Sequence, residues 1–119
     1  MATYIILSRF SPEAFQDPKD FKRLADTVSK EIKSRCPGVT WKSSYATLGR
    51  FDVVDLVESD DVKQVERAAM IIRACGHSTT ETLPATPWKE FLEILWALSI
   101  PGLRLEVSDG QLCWYSLSP

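Results

Sequence analysis

The sequence predicts an α+β fold, and three observations support this prediction. Segments typical of strands and amphipathic segments typical of helices alternate in the order β-α-β-β-α-β over most of the chain. Only the dipeptide Gly49-Arg50 separates the two central strands, which indicates an antiparallel hairpin. A duplicated β-α-β unit of this kind is the ferredoxin-like arrangement, in which right-handed crossovers place both helices on one face of a four-stranded antiparallel sheet.

The first half of this pattern contains a strand, a helix and a second strand. Residues 3–10 are rich in Tyr, Ile and Leu and alternate as a strand does. Asp17 then supplies an N-cap and Pro18 the first helical position, and an amphipathic helix follows until Pro37-Gly38 ends it. Residues 39–48 are predicted to form the second strand because β-forming side chains dominate them.

The second half repeats the same order. Residues 51–58 form the predicted third strand. Ser59-Asp60-Asp61 is predicted to cap a second helix, because short polar side chains can accept hydrogen bonds from the free N–H groups of a first turn. This helix is predicted to end at Gly76. Residues 77–83 are rich in Thr and are predicted to form the fourth strand.

Beyond this core, the sequence predicts a third helix and a terminal β-hairpin. Thr86-Pro87-Trp88 opens the helix with an N-cap followed by Pro, and Pro101-Gly102 closes it. Residues 103–107 and 112–117 flank an Asp-Gly turn, which is a strong hairpin signal. Since no linker or low-complexity segment interrupts the chain, we expect a single domain over residues 1–119. We expect the hairpin to add stability or to close one edge of a site.

The composition limits the class of protein. The chain has 119 residues, 45% of them hydrophobic and 25% charged, which are ordinary values for a globular domain with its own core. With a net charge of −2, the chain has no overall positive potential to attract phosphate backbones, so we do not expect it to bind nucleic acid. Three widely separated cysteines fit no disulfide framework, and no apolar run is long enough for a signal peptide or a membrane span. We therefore expect a cytoplasmic protein with reduced thiols and no membrane partner.

Apolar residues lie on both faces of the predicted sheet. In the first strand, Ile5 and Leu7 alternate with Ile6 and Phe10, so neither face of this strand is polar throughout. Because two helices on one side cover only one face, the other face must meet something else. We expect a homodimer in which two such sheets face each other as a dimeric α/β barrel. The alternative is that the C-terminal segment covers this face within one chain.

One run of residues carries a family resemblance. Residues 45–54, Tyr-Ala-Thr-Leu-Gly-Arg-Phe-Asp-Val-Val, resemble the signature of the GYD-domain family, small bacterial proteins named for a Gly-Tyr-Asp element. Residues 1–5 and 80–92 are similar to that family in the same order. The resemblance covers about residues 1–97 and leaves the terminal hairpin outside. It implies the dimeric α/β-barrel type of ferredoxin-like fold and transfers no catalytic residues.

The chain departs from that signature at two positions. An inserted Arg50 and a Phe51 in place of Tyr give the element Gly-Arg-Phe-Asp, which lacks the phenol. Asp52, the acid of this element, is a candidate for orienting a ligand. The structural interpretation is that an Asp at the start of a strand accepts hydrogen bonds from nearby backbone N–H groups.

His77 and Asp55 are the two candidate catalytic residues. His77 is the only histidine of the chain, and its side chain is the one whose ordinary pKa suits proton transfer near neutral pH. Asp55 stands out as a carboxylate inside an otherwise apolar strand, where it would need a partner such as Arg9 or have a raised pKa. The structural alternatives are a capping histidine and an ion-paired strand aspartate.

Four further polar residues on predicted strands are candidate substrate-binding groups. They are Tyr45, Arg9, Asp52 and Glu81. The histidine and cysteines have no metal-ligand spacing, and the glycines form no phosphate-binding loop, so we expect neither a metal nor a cofactor.

Three function classes follow from these features. The first is a cofactor-independent enzyme that performs acid/base, isomerase, cyclase or lyase chemistry on a small apolar substrate in a cavity beside the sheet. The second is a non-catalytic ligand-binding protein or sensor, and the third is a structural dimer. Titratable side chains in an enclosed cavity favour the first class, a cavity without them favours the second, and a filled barrel favours the third.

Overall fold

The computed structural model describes residues 1–98 and 102–116 and follows the predicted order of elements. These elements are β1 (Ala2–Phe10), α1 (Pro18–Arg35), β2 (Val39–Ala46), β3 (Val53–Ser59), α2 (Val62–Gly76), β4 (Ser78–Ala85), α3 (Trp88–Ala97), β5 (Leu103–Ser108) and β6 (Gln111–Ser116). A single 3-10 turn over Pro12–Phe15 follows β1. The chain divides into two compact units, Met1–Ala85 and Thr86–Pro119.

The first unit is built on a four-stranded antiparallel sheet with the strand order β2-β3-β1-β4. Ile6 at the centre of β1 lies opposite Asp55 of β3 and opposite Thr82 of β4. With α1 after the first strand and α2 after the third, this order is that of the ferredoxin-like fold. The fold class predicted from the sequence is therefore confirmed.

The core of this unit lies between one face of the sheet and the two helices. Ile6 and Val57 are fully buried there, and they pack in one cluster with Ile32 of α1 and with Val65 and Ile72 of α2. Each large apolar side chain buried in this way stabilises the fold by roughly 1.5–3 kcal/mol. This packing assigns the odd-numbered residues of β1 to the opposite face.

Both helices of the first unit begin at the predicted caps. The Asp17 carboxylate accepts the N–H of Lys19 at 2.9 Å, and the Asp61 carboxylate accepts the N–H of Lys63 at 3.0 Å. Each bond satisfies one of the free N–H groups of a first helical turn. At the other end of α2, His77 adopts the left-handed conformation with φ 49° and stops the helix.

The connection between β2 and β3 is longer than the sequence predicted. It occupies residues 47–52, between Ala46 and Val53. The Asp52 N–H donates to the carbonyl of Ser8 at 2.8 Å, and its carbonyl accepts the N–H of Thr47 at 2.9 Å. These bonds join the start of β3 to β1 and close the loop.

The face of the sheet opposite α1 and α2 carries a row of apolar side chains. This open sheet face contains Ile5 and Leu7 of β1, Val54 and Leu56 of β3, and Leu83 of β4. Leu7 lies directly opposite Val54, and Ile5 lies opposite both Leu56 and Leu83. The sequence prediction that both faces are apolar is therefore confirmed for the two central strands, β1 and β3.

The second unit contains α3 and the β5–β6 hairpin. The helix begins at Trp88, one helical position later than predicted, and the hairpin is antiparallel. Asp109 and Gly110 have φ values of 51° and 75°, and two consecutive positive values are characteristic of a type I′ turn. The predicted Asp-Gly hairpin is thus confirmed. The helix ends at Ala97, where Leu98 turns to an extended conformation, and so it stops before the predicted end at Pro101-Gly102. Residue 117, the last residue of the predicted final strand, lies outside the described residues.

Candidate functional site

A cavity of about 390 Å³ lies between α1 and the sheet in the first unit. We call it the α1–sheet cavity. Most of its wall is apolar, and these lining residues are Phe10, Phe21, Val28, Ile32, Val39, Val53 and Ile72. The rings of Phe10 and Phe21 stand edge to face, with their centroids 5.4 Å apart. Its volume is within the range of roughly 300–1,000 Å³ that is usual for small-molecule sites.

Asp55 forms the polar end of this cavity, together with two hydrogen-bond donors from β2. Its side chain is 6% exposed. Ser44 Oγ donates to Asp55 Oδ1 at 2.5 Å, and Trp41 Nε1 donates to the same oxygen at 3.2 Å. Both donors are neutral, so no described residue provides a positive charge to this carboxylate.

A shift of register in β2 brings these two donors to the same place. Trp41 lies opposite Val57, but the pairing shifts by one residue before Ser43, so that Ser44 lies opposite Asp55. An extra residue of this kind is a β-bulge, which turns side chains that would alternate onto one face. Trp41 and Ser44 therefore both reach the cavity side of the sheet.

The environment of Asp55 disfavours its charged form. Burial raises the pKa of the Asp55 carboxyl above its ordinary range, and the hydrogen bonds from Ser44 and Trp41 offset only part of this pKa increase. The sequence offered two alternatives for this residue, an ion pair with Arg9 or a raised pKa. Arg9 lies on the opposite face of β1 and makes no ion pair with Asp55, so the structure favours the second alternative, in which burial raises the pKa of this carboxyl.

Ser8 provides a second polar group in the cavity wall. It is 1% exposed, and its hydroxyl has no hydrogen-bond partner among the described residues. A buried hydroxyl without a partner is uncommon, because it loses its hydrogen bonds to water and gains none in return. Ser8 and Asp55 are diagonal neighbours on the same face of the β1–β3 pair, since Ile6 and not Ser8 lies opposite Asp55.

Two more titratable side chains line the cavity. Lys33 of α1 is exposed at its rim. Cys36 is buried, and burial raises the pKa of its thiol, an effect that the nearby Arg67 guanidinium partly opposes. Cys36, Cys75 and Cys113 form no disulfide with one another.

The structure separates the other predicted site residues from Asp55. Tyr45 pairs with Val54 and Glu81 pairs with Leu7 on the open sheet face. Arg9 lies on that face as well, and all three residues are exposed. His77 is exposed at the end of α2 and does not line the cavity. Asp55 is thus the predicted site residue that lines the α1–sheet cavity.

Asp52 is occupied by the backbone of β1. Its Oδ2 accepts the N–H of Phe10 at 2.9 Å, so Asp52 does bond a backbone N–H group, but one on β1 that is distant in sequence and not one in its own turn. The Gly-Arg-Phe-Asp element therefore connects the β2–β3 hairpin to the part of β1 that contains Ser8 and Phe10, and both of these residues line the cavity.

Sequence reasoning missed Ser8, Ser44 and the role of Trp41 in the site. Serine is common on strands, and its position in an alternating pattern does not reveal whether its hydroxyl finds a partner. A tryptophan on a strand is typical of a core or an interface, which conceals its use as a hydrogen-bond donor. The number of polar residues gave no signal either, because Thr40, Lys42, Ser43 and Ser44 are half of β2, as expected of a half-buried strand.

Comparison with known proteins identifies the family. The sequence matches the GYD domain over residues 4–95. The chain belongs to the GYD-domain family. The matched segment ends within α3, so the β5–β6 hairpin of this GYD protein lies outside it, as the resemblance in residues 45–54 had indicated.

A curated relative adds a second observation. This GYD protein is 30% identical over 91 residues to the "Glutamine synthetase and cystathionine beta-lyase binding protein" of Thermus thermophilus, and the alignment covers 73% of this chain and 90% of the relative. No solved structure gives a significant match.

The described residues place limits on other kinds of site. Within residues 1–98 and 102–116, no group of three or more His, Cys, Asp or Glu side chains is arranged to hold a metal ion. None of the helices in these ranges has the length and the apolar character needed to span a bilayer.

Proposed function

We propose that this GYD protein binds a small, largely apolar molecule in the α1–sheet cavity. The observation that carries the proposal is a pair of buried polar residues in the wall of a mostly apolar cavity: the Ser8 hydroxyl has no hydrogen-bond partner among the described residues, and Asp55 is bonded through Oδ1 alone. A wall that served packing alone would gain stability from apolar residues at both positions, because burying polar groups without partners is unfavourable. A bound molecule with polar atoms at that end would provide the missing hydrogen bonds.

Native mass spectrometry of the purified protein tests this proposal directly. We expect an adduct with the mass of a small organic molecule, which is lost when the protein is denatured. In the variant Ser29→Trp, a large ring is placed on α1 at a residue that lines the cavity, and the adduct should disappear. Ser34→Trp is the matched control, since Ser34 is an exposed residue of the same helix that does not line the cavity.

A fragment screen by thermal shift provides the same test without a retained ligand. A molecule that binds only the native state raises stability by RT ln(1 + [L]/Kd), which is about 2.7 kcal/mol at a concentration of 100 Kd. Apolar fragments that stabilise the parent protein and the Ser34→Trp variant should fail to stabilise Ser29→Trp. Equal stabilisation of both variants would place the binding site outside the cavity and would contradict the proposal.

The enzyme class of function depends on Asp55. With its raised pKa and its position at the polar end of the cavity, Asp55 is suited to act as a general acid or base on a bound substrate. For an enzyme, Asp55→Asn should lower turnover by roughly 10²–10⁴-fold while ligand binding persists. Unchanged turnover in Asp55→Asn would contradict the role of Asp55 as the acid or base, and the absence of turnover for every molecule that binds would favour a ligand-binding protein or sensor.

We also propose that two copies of the chain associate through the open sheet face. This face carries apolar side chains from three adjacent strands, and Leu83 is 43% exposed. Exposed apolar patches of this kind are typical of interaction surfaces. Tyr45, Arg9 and Glu81 lie on the same face and would then contact the second copy.

Analytical ultracentrifugation tests the dimer. We expect the parent chain to sediment as a dimer that buries upward of roughly 2,000 Å². Leu56→Glu should convert it to a monomer, because a carboxylate would be buried at the centre of the interface. Met70→Glu is the control, since Met70 is an exposed apolar residue on α2. A parent chain that remains monomeric at every concentration would contradict the proposal.

A second candidate function is binding to metabolic enzymes. It is favoured by one specific observation, the similarity to a protein whose name describes binding to glutamine synthetase and cystathionine β-lyase. Size-exclusion chromatography of this chain mixed with each of these two purified enzymes from its own source organism tests the proposal. We expect co-elution with at least one of them, and separate elution from both would contradict it.

A further inference from the structure

The carboxylate of Asp55 uses only one of its two oxygens within the protein. Oδ1 accepts both hydrogen bonds, from Ser44 and from Trp41, whereas no described residue donates to Oδ2. A carboxylate has about four acceptor positions, so half of the capacity of Asp55, a residue that lines the cavity, is not used by the described residues.

No cationic side chain of the described residues neutralises this carboxylate. Asp55 takes part in no ion pair with them, and Lys33, the cationic residue that lines the cavity, extends from its exposed rim. Arg9 is on the other face of the sheet. Buried carboxylates in proteins are usually paired with a cation, because an unpaired charge in apolar surroundings is strongly unfavourable.

Ser8 supplies a second acceptor close to the first. Its hydroxyl is fully buried and has no partner among the described residues, and it lines the same cavity. Diagonal neighbours on adjacent antiparallel strands have their Cα atoms roughly 7–8 Å apart, so one donor group between Ser8 and Asp55 can reach both oxygens. A primary ammonium group has three N–H donors, and it carries the positive charge that no described side chain provides to Asp55.

We propose that the α1–sheet cavity takes an organic cation, a small amine with an apolar body, whose ammonium group donates to Asp55 Oδ2 and to Ser8 Oγ. This inference rests on the proposed function and names its ligand class. The aromatic residues of the wall fit such a ligand, since the rings of Phe10, Phe21 and Trp41 can contact an apolar body and the faces of aromatic rings attract cations.

A matched pair of probes tests the charge. 2-Phenylethylamine and 2-phenylethanol have nearly the same size and shape, but only the amine is a cation at pH 7. Isothermal titration of each into the parent protein should give an affinity for the amine that is at least roughly 10-fold higher, as expected for a charge-assisted hydrogen bond. This comparison needs no variant and therefore does not depend on how any substitution folds.

Two variants test whether the higher affinity for the amine depends on Asp55. Asp55→Asn keeps the shape of the side chain without its charge and should reduce the preference for the amine to about 2-fold or less. Asp26→Asn makes the same change at an exposed residue of α1 outside the cavity and should leave the preference intact.

The possible results separate the two proposals. If both probes bind equally and Ser29→Trp blocks both, the cation is excluded while the cavity remains the binding site. If the amine is preferred but Asp55→Asn keeps that preference, the assignment of Asp55 is overturned. If neither probe binds the parent protein, the cation inference fails, and if binding persists in Ser29→Trp, the proposed cavity site fails as well.

Discussion

Trp41 and Ser44 lie three residues apart in β2, yet the indole N–H of Trp41 donates a hydrogen bond to the Ser44 hydroxyl over 2.9 Å. In a regular strand these two side chains would point to opposite faces. The register shift between Trp41 and Ser43 removes this separation. As a result, both residues donate to Asp55, and the carboxylate is oriented by neutral partners alone.

The stability of Asp55→Asn should respond to pH differently from that of the parent protein. Because the pKa of Asp55 is raised in the folded state, the folded protein binds more protons than the unfolded chain above the ordinary pKa of about 4. The parent protein should therefore lose stability relative to Asp55→Asn as the pH rises from about 4 through the raised pKa. Urea denaturation of both proteins across this range measures the difference.

Asp26→Asn is the control for that experiment, since Asp26 is exposed on α1. The free energy of unfolding of Asp26→Asn should change with pH in the same way as that of the parent protein. Parallel profiles for Asp55→Asn and the parent protein would show that Asp55 does not titrate as described.

Removal of the Ser44 hydroxyl should raise the pKa of Asp55 further. The Ser44 hydrogen bond favours the charged carboxylate, and its loss leaves the effect of burial less opposed. Titration of the Asp55 carboxyl carbon by NMR measures the change, and a stability loss of about 0.5–1.5 kcal/mol should accompany it. Ser43→Ala should leave the Asp55 pKa unchanged, because Ser43 lies opposite Leu56.

Ser8→Ala should stabilise the ligand-free protein and weaken ligand binding. The substitution removes a buried hydroxyl without a partner, and we expect the free energy of unfolding to rise by about 1 kcal/mol. Ser59→Ala is the matched comparison. Ser59 is also fully buried, but its hydroxyl donates to the Gly38 carbonyl and accepts the Asp61 N–H.

The Ser59 variant should accordingly lose about 1–2 kcal/mol of stability. Urea denaturation of the parent protein, Ser8→Ala and Ser59→Ala measures the three free energies of unfolding, and we expect Ser8→Ala to be the most stable and Ser59→Ala the least stable. A loss of stability in Ser8→Ala as large as that in Ser59→Ala would mean that the Ser8 hydroxyl is satisfied within the protein.

Asp52→Ala should destabilise the fold through β1. The substitution leaves the Phe10 N–H without its charged acceptor, and a loss of roughly 1.5–3 kcal/mol is expected for a hydrogen bond to a charged group. Asp60→Ala, at an exposed position, should change stability by less than about 0.5 kcal/mol. Thermal unfolding of the two variants measures both effects, and equal melting temperatures would contradict the role assigned to Asp52.

His77→Gly distinguishes the two interpretations of the single histidine. Glycine adopts a positive φ at no steric cost, so the variant should gain roughly 0.5–1 kcal/mol of stability if His77 serves as a helix terminator. A catalytic role for His77 stays a prediction, and it requires that His77→Gly lose activity toward a substrate of the protein. Stability measured together with turnover decides between them.

The sequence alone was sufficient to predict the order of elements. Capping residues such as Asp17 and Asp61 act on the N–H groups of their own helix turn, and the Asp109-Gly110 turn depends on the backbone of two residues. Such local interactions depend little on the rest of the chain, which is why they are visible in the sequence. The ferredoxin-like topology then follows from general rules of chain connection. That residues 1–119 form one domain stays a prediction.

Only the tertiary structure decided which of the predicted site residues lie together. Asp55 faces the cavity because its register opposite Ile6 places it on the helix side of the sheet. Glu81 lies opposite Leu7 and Tyr45 lies opposite Val54, and these registers place both residues on the other face.

Composition and spacing contain no information about such long-range registers, nor about the single-residue shift in β2 that brings Trp41 and Ser44 to Asp55. Whether the hydroxyl of Ser8 is satisfied likewise depends on side chains from α1 and β3, which are distant in sequence and meet only in the folded protein. The sequence therefore determined the elements and their order, and packing between distant segments determined the site.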